Sequence, residues 1–261
     1  MTARGRRSRA RVRSRASFGG VLGELLITAG VVAMLFVVWQ LWIGDAIVGG
    51  QKQAEADALA QQWIAAAQAG GADAPASVGG APEPSGAPQE PADPAPPVPA
   101  AVGHGEVFGV MYVPRFGADW QYQIASGTTR PDILDEAFIG HYENTDMPGA
   151  VGNAAFAAHR WGHGALFGPM DQLVVGDAIV VQTPEGWYTY RFRNLEYVQP
   201  EQIEVLAPVP GHPDRVASDR ILTLTTCAPL YNTKERLIAY ALFDSFTPAA
   251  DGPPPALAEG A

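Results

Sequence analysis

Among 261 residues there is a single cysteine, Cys227. It closes the run Ile221-Leu222-Thr223-Leu224-Thr225-Thr226, where a strand gives way to a loop opening on Ala228-Pro229. A side chain at a strand end is held by the sheet and can still face a cleft, which suits a nucleophile. To attack, the thiol must become a thiolate, and that calls for a base or a neighbouring positive charge. The candidates are His104, His141, His159, His163 and His212 and, just downstream, Lys234 and Arg236. His159 ends the small-residue stretch Asn153 to Ala158, again at a strand end, and Arg236 opens the strand after Cys227. Adjacent antiparallel strands would bring that guanidinium to the thiol, where a cationic fork can hold an oxyanion or a substrate carbonyl. The competing reading of the cysteine is an inert, buried thiol.

The charge distribution says where such chemistry would take place. Residues 1–43 hold seven arginines (Arg4, Arg6, Arg7, Arg9, Arg11, Arg13 and Arg15) against one acid, Glu24, although the whole chain is at −10. The remainder is therefore strongly acidic, which argues against nucleic acid as a partner, since a phosphate-binding face needs Lys and Arg on the folded part. The arginines precede an apolar run, Val21 to Ile43, long enough as a helix to cross a hydrocarbon core of ~30 Å. Trp39 and Trp42 mark its far end, where indole rings favour an interface. Basic residues on the N-terminal side place that side in the cytoplasm and everything after Gly44 outside. A cleaved signal peptide is the rival, with a shorter apolar region and a small-residue cleavage site. An unpaired thiol outside the cell is exposed to oxidation, so a chain that keeps one there should have a use for it.

The elements that would position these groups follow from pattern. Residues 44–68 are rich in Ala, Gln and Glu and read as a juxtamembrane helix, a stalk rather than a coiled-coil contact. Residues 69–103, dominated by Pro, Ala and Gly, read as a disordered linker. From 104 to 247 the composition turns to short strands: 106–113, 120–124, 153–159, 177–183, 187–198, 220–227 and 236–243. Trp187 to Phe192 alternates as a sheet with one wet face would, and Pro184-Glu185-Gly186 signals a hairpin. Short helical pieces are expected around Pro131 to Gly140 and Ala165 to Leu173. Seven or eight strands with few helices indicate an all-β barrel or sandwich. The tail, 248–261, reads as unstructured.

The segment TLTTCAPLYNTKERLIAYALF resembles the signature of sortases, Thr-Leu-x-Thr-Cys followed some nine residues later by Arg, matched here by Thr223, Leu224, Thr226, Cys227 and Arg236. Gly152-Asn153 followed by Ala158-His159-Arg160 resembles the stretch before the sortase histidine, with Ala158 where glycine is frequent. The likeness spans about His141 to Phe243. The arginine-rich start, the anchor, the linker and the stretches GWYTYRF and VLAPVP look most like class E sortases of actinobacteria.

The resemblance implies a closed eight-stranded β-barrel and a thiol–imidazole pair with an essential arginine. It implies cleavage of a Leu-Ala-x-Thr-Gly-like signal between Thr and Gly, through a thioester, in surface proteins that carry such a signal at the C-terminus. The acyl group would pass to an amine of a peptidoglycan precursor or a pilin. Cys227 would be the nucleophile, His159 the general acid and base, and Arg236 the stabiliser of the oxyanion or substrate. Thr226 would assist through its hydroxyl, and Thr225, His141 and Tyr231 are further candidates for contact with the peptide, although for His141 a turn cap is the reading put ahead. No cofactor is expected. His159 and His163 stand at helical spacing, but the local sequence reads as strand then loop with no third ligand nearby, so no metal is expected.

Two other functions fit the composition. An L,D-transpeptidase also places His before Cys but has Gly before the Cys and Arg soon after, where this chain has Thr226 and Ala228. A non-catalytic tethered module would have no reason to keep Cys, His and Arg together.

Overall fold

The computed structural model describes residues 18–39, 44–71 and 95–258. The arginine-rich start, the end of the apolar run with Trp42, residues 72–94 of the linker and the last three residues lie outside them.

Helix α1, Phe18–Val38, is a unit by itself. Its 21 residues, at ~1.5 Å each, match a hydrocarbon core of ~30 Å. Among the described residues it is the one helix long and apolar enough to cross a membrane.

The second unit holds helix α2, Gly44–Gly71, and a closed barrel. The strands are β1 Val107–Tyr112, β2 Gln121–Ser126, β3 Ile139–His141, β4 Gly152–Ala157, β5 Ala178–Thr183, β6 Gly186–Val198, β7 Arg220–Ala228 and β8 Glu235–Pro248. Around the barrel the order is β1-β2-β3-β4-β7-β8-β6-β5, closed by pairing of β5 with β1. The β2–β3 and β4–β7 pairs are parallel and the rest antiparallel. Closure leaves no edge strand to template pairing with another chain. Phe156, Tyr188, Tyr190, Leu222 and Leu224 fill the interior, none exposing more than a trace of surface.

The hairpin expected at Pro184-Glu185-Gly186 joins β5 to β6, with Thr183 paired to Gly186. Gly186 has φ 151°, and a Cβ there would lie 2.3 Å from the Thr247 carbonyl oxygen, so the turn admits only glycine. Strand β3 replaces the C-terminal end of the helix expected over Pro131 to Gly140. Three residues are too few to show a period, and the helix shrinks to one wide turn over Arg130–Leu134.

Three expectations need correction, and one cause covers them: elements wrap the outside of the barrel. Helix α2 is not a free stalk, because Ala56 and Ala60 are buried against the sheet and Gln182 donates Nε2–H to the Ala60 carbonyl. The last part of the supposed linker, 95–103, packs down with Pro99 buried, and the Pro97 carbonyl accepts from the Tyr188 hydroxyl. The tail forms short 3-10 turns at Ala249–Asp251 and Pro255–Ala258, and Ala256 is buried against Trp187. The outer face of β6 is consequently dry over its first half, where alternation alone suggested a wet one.

Candidate active site

Strand register assembles the site. On the antiparallel pair β7–β8, Cys227 lies directly opposite Arg236, so both side chains leave the same face at closest cross-strand range. On the parallel pair β4–β7, Ala157 stands beside Thr225, and the Ala158 amide donates to the Thr225 carbonyl. His159 and Cys227 each lie two residues beyond that last pair, where the two chains leave the ladder at the same end of the barrel. The three line one cleft of about 450 Å³ together with Thr225, Thr226, Tyr142, Trp161, Arg130 and Leu134. Cys227 is partly exposed, not sealed in the core.

The guanidinium is held from below. Nη1 of Arg236 donates to the carbonyls of Thr233 at 2.9 Å and Glu235 at 3.0 Å, its two hydrogen bonds among the described residues. The remaining donors of the fork are left for a group in the cleft.

His159 has a partner that the sequence did not disclose. Its Nε2 lies 2.7 Å from Asp135 Oδ1, the geometry of an N–H donating to a carboxylate, which leaves Nδ1 as the nitrogen with the lone pair. Asp135 follows the wide turn Arg130–Leu134, and its amide donates to the Arg130 carbonyl at 2.7 Å. Burial is the first cause that holds the imidazole of His159 below its ordinary pKa, and the charges of His163 and Arg130 add to it. The contact with Asp135 opposes that shift without cancelling it. Burial disfavours ionisation of Asp135 in turn, yet the hydrogen bond from His159 and the charges of His163 and Arg130 keep its carboxyl below the usual range. A neutral imidazole beside a thiol is a proton acceptor in waiting. Sequence offered no signal for Asp135 because it stands 24 residues from His159 in a turn of unremarkable composition.

The other candidates separate. The Thr226 hydroxyl is buried and donates to the Ala158 carbonyl at 2.8 Å, pinning the segment that carries His159. The Thr225 hydroxyl pairs with the Tyr142 hydroxyl at 3.0 Å, so it steadies the cleft wall. Tyr142, which sequence did not single out, contributes its ring to that wall. Tyr231 is 61 % exposed and meets Trp161 edge to face at 6.2 Å, at the mouth and not within the lining. For His141 the peptide contact is corrected and the turn cap is what is seen: it is buried between Phe108 and Phe156, and its Nε2–H donates to the Asp146 carbonyl at 3.0 Å, away from the cleft. Two motif residues are structural. Asn153, itself fully buried, donates to the carbonyls of Val205 and Ala207 and accepts from Thr223 at 2.6 Å.

The ground given above against a metal also needs correction, because Asp135 supplies the third ligand type beside His159 and His163, all within 4.8 Å of one another. The arrangement nonetheless suits an ion poorly. The two imidazoles stack with centroids 4.9 Å apart and planes 27° from parallel, so lone pairs lying in the ring planes run side by side and do not meet at one ion. His163 instead gives its Nδ1–H to the Asp135 carbonyl at 2.8 Å.

Comparison with known proteins places this architecture. Residues 111–243 match the family model of the sortase domain. The chain belongs to the sortase family, whose members are cysteine transpeptidases. Within it, the chain is 31 % identical over 242 residues to Sortase SrtE1 of Streptomyces coelicolor, covering 90 % of this chain and 60 % of that protein's length. Among solved structures it is similar to the SrtA sortase of Actinomyces oris, with TM-score 0.60 and 40 % identity over 63 % of this chain and 94 % of that one. Sortase E1 of Streptomyces coelicolor, solved with a tripeptide in the active site, gives TM-score 0.55 and 33 % identity over 59 % and 97 % of the two chains. The class E likeness read from the sequence is thus shared by its relatives.

Proposed function

We propose that this chain is a membrane-anchored sortase that cleaves a Leu-Ala-x-Thr-Gly-like sorting signal between Thr and Gly and transfers the acyl part to an amine. The observation that carries the reading is the cross-strand pair Cys227–Arg236 with His159 alongside in a single cleft. Nδ1 of His159 takes the thiol proton, and the Cys227 sulfur attacks the threonine carbonyl carbon. The oxygen becomes an oxyanion held by the free donors of Arg236, where preorganised charge lowers the barrier most. As the tetrahedral intermediate collapses, the carbon–nitrogen bond breaks and the imidazolium gives its proton to the departing glycine amine, leaving a thioester. An incoming amine attacks the thioester, His159 removes its proton, and the Cys227 thiolate leaves. Water competes at that step, and its access to the cleft sets the share of hydrolysis.

The substrates are surface proteins bearing a C-terminal signal, and the acceptor is an amine of a peptidoglycan precursor or a pilin. Helix α1 holds the enzyme in the cell membrane with its arginine-rich end in the cytoplasm and the barrel outside. The test is to incubate the enzyme with a library of sorting-signal peptides and assorted amines and to sequence the joined products. Products joined after threonine in Leu-x-x-Thr-Gly peptides support the reading. Absence of any joined or cleaved product contradicts it.

A further inference from the structure

Helix α2 presents Gly49, Lys52, Ala56 and Ala60 to the barrel along one seam at helical spacing. The second half of the helix is tied to the sheet: the Ala60 carbonyl accepts from Gln182 at 3.3 Å, and Ile64 packs beside Trp187. The first turns touch different structure. A Cβ at Gly164 would stand 3.7 Å from the Gly49 amide nitrogen, and a Cβ at Gly49 would come within 3.1 Å of the Tyr122 hydroxyl, so the backbones approach closely there. Lys52 Nζ sits 4.5 Å from the centroid of the Phe138 ring, a cation over an aromatic face. Gly164 follows His163 directly, and Phe138 is three residues beyond Asp135.

These two loops are joined by the hydrogen bond from His163 Nδ1 to the Asp135 carbonyl, and Asp135 in turn holds His159. His163 and Ala165 have φ of 50° and 48°. Residues other than glycine keep such a backbone only where the surroundings enforce it. Helix α2 lies against Gly164, the residue between His163 and Ala165.

We propose that the first turns of α2, through Gly49 and Lys52, position the Asp135 and His163 loops and thereby the imidazole of His159, making the helix between anchor and barrel a working part of the active site. The inference rests on the reading of His159 as the proton-transfer group. Its consequence is that a barrel deprived of this helix keeps its nucleophile and loses the alignment of its base.

The test uses the full chain in detergent micelles. Ala56→Glu with Ala60→Glu places two carboxylates in the buried seam and lifts the helix without altering any residue of the cleft. Lys52→Ala removes the cation from Phe138, and Lys52→Arg keeps one there. Two quantities are read: kcat and KM for signal-peptide cleavage, and titration of the His159 imidazole by NMR. The helix-lifting variant is expected to lose roughly tenfold to a hundredfold in kcat, since small misplacements of a catalytic group have that effect, with KM little changed. The His159 titration is expected to move to lower pH, because the Asp135 contact is what favours the protonated ring. Lys52→Ala should move both in the same direction by less, and Lys52→Arg should restore them. If lifting the helix unfolds the barrel by circular dichroism, the Lys52 pair decides the matter alone. A helix shown by proteolysis to be detached, with kcat and the His159 titration unchanged, overturns the proposal, as does a Lys52→Ala variant indistinguishable from the parent. If the parent itself cleaves no signal peptide, the functional reading fails, and the His159 titration still tests the brace.

Discussion

The imidazole of His159 is held by the carboxylate of Asp135, Nε2 to Oδ1, at 2.7 Å. That contact selects the tautomer with a free Nδ1, on a residue that lines the same cleft as Cys227. It also works against burial, the larger influence, which keeps the ring neutral.

From this relationship comes an expectation about pH. The imidazole acts as a base when neutral, and its pKa lies below the ordinary 6.5, so the acidic limb of kcat/KM should lie below pH 6.5. Asp135 raises that pKa, so Asp135→Asn removes a raising influence and should carry the limb to still lower pH while reducing kcat. A pH series of peptide cleavage on the parent and the variant checks this, and a limb that moves upward contradicts it.

Arg236 anchors itself through Nη1 and presents its other donors to the cleft. Arg236→Lys keeps the charge but cannot do both at once, because an ammonium is a point donor and not a fork. Loss of one oxyanion donor typically lowers kcat by ~10²–10³, and a loss of that order is expected in steady-state cleavage assays, with KM little altered.

Asn153 and Thr223 test the structural side of the motif. Asn153→Ala leaves one buried carbonyl, one half-buried carbonyl and one buried hydroxyl without their partner. Stranding buried polar groups costs about 1–3 kcal/mol each, and thermal unfolding should show a destabilisation of at least about 2 kcal/mol. Activity per folded molecule should survive at low temperature, since Asn153 does not line the cleft.

Much of the site was legible in the sequence because its parts sit on strands. Cys227 and Arg236 flank one hairpin, and a period of two fixes which face they share once the pairing is antiparallel. The neighbourhood of His159 followed from the same logic on β4. What escaped was carried by loops and by weak patterns. Asp135 reaches His159 from a turn whose sequence announces nothing, and β3 is too short to alternate. Helix α2 read as a stalk because its fully buried positions, Gly49, Ala56 and Ala60, are alanine and glycine. Such residues allow close approach to the barrel yet hardly distinguish one side of a helix from the other. For His141 the sequence left a cleft contact open beside the turn cap, because the aromatic rings that bury it, Phe108 and Phe156, come from other strands.

The central claim is that the sulfur of Cys227 attacks a peptide carbonyl with the help of groups converging on one cleft. Intact-mass spectrometry of the full chain incubated with a Leu-Ala-x-Thr-Gly peptide measures this directly. An adduct of the mass of the peptide up to threonine is expected on Cys227, lost in Cys227→Ala while the thermal midpoint of that variant stays nearly where it was. No adduct with any Leu-x-x-Thr-Gly variant, or a Cys227→Ala chain that no longer folds, would contradict the account.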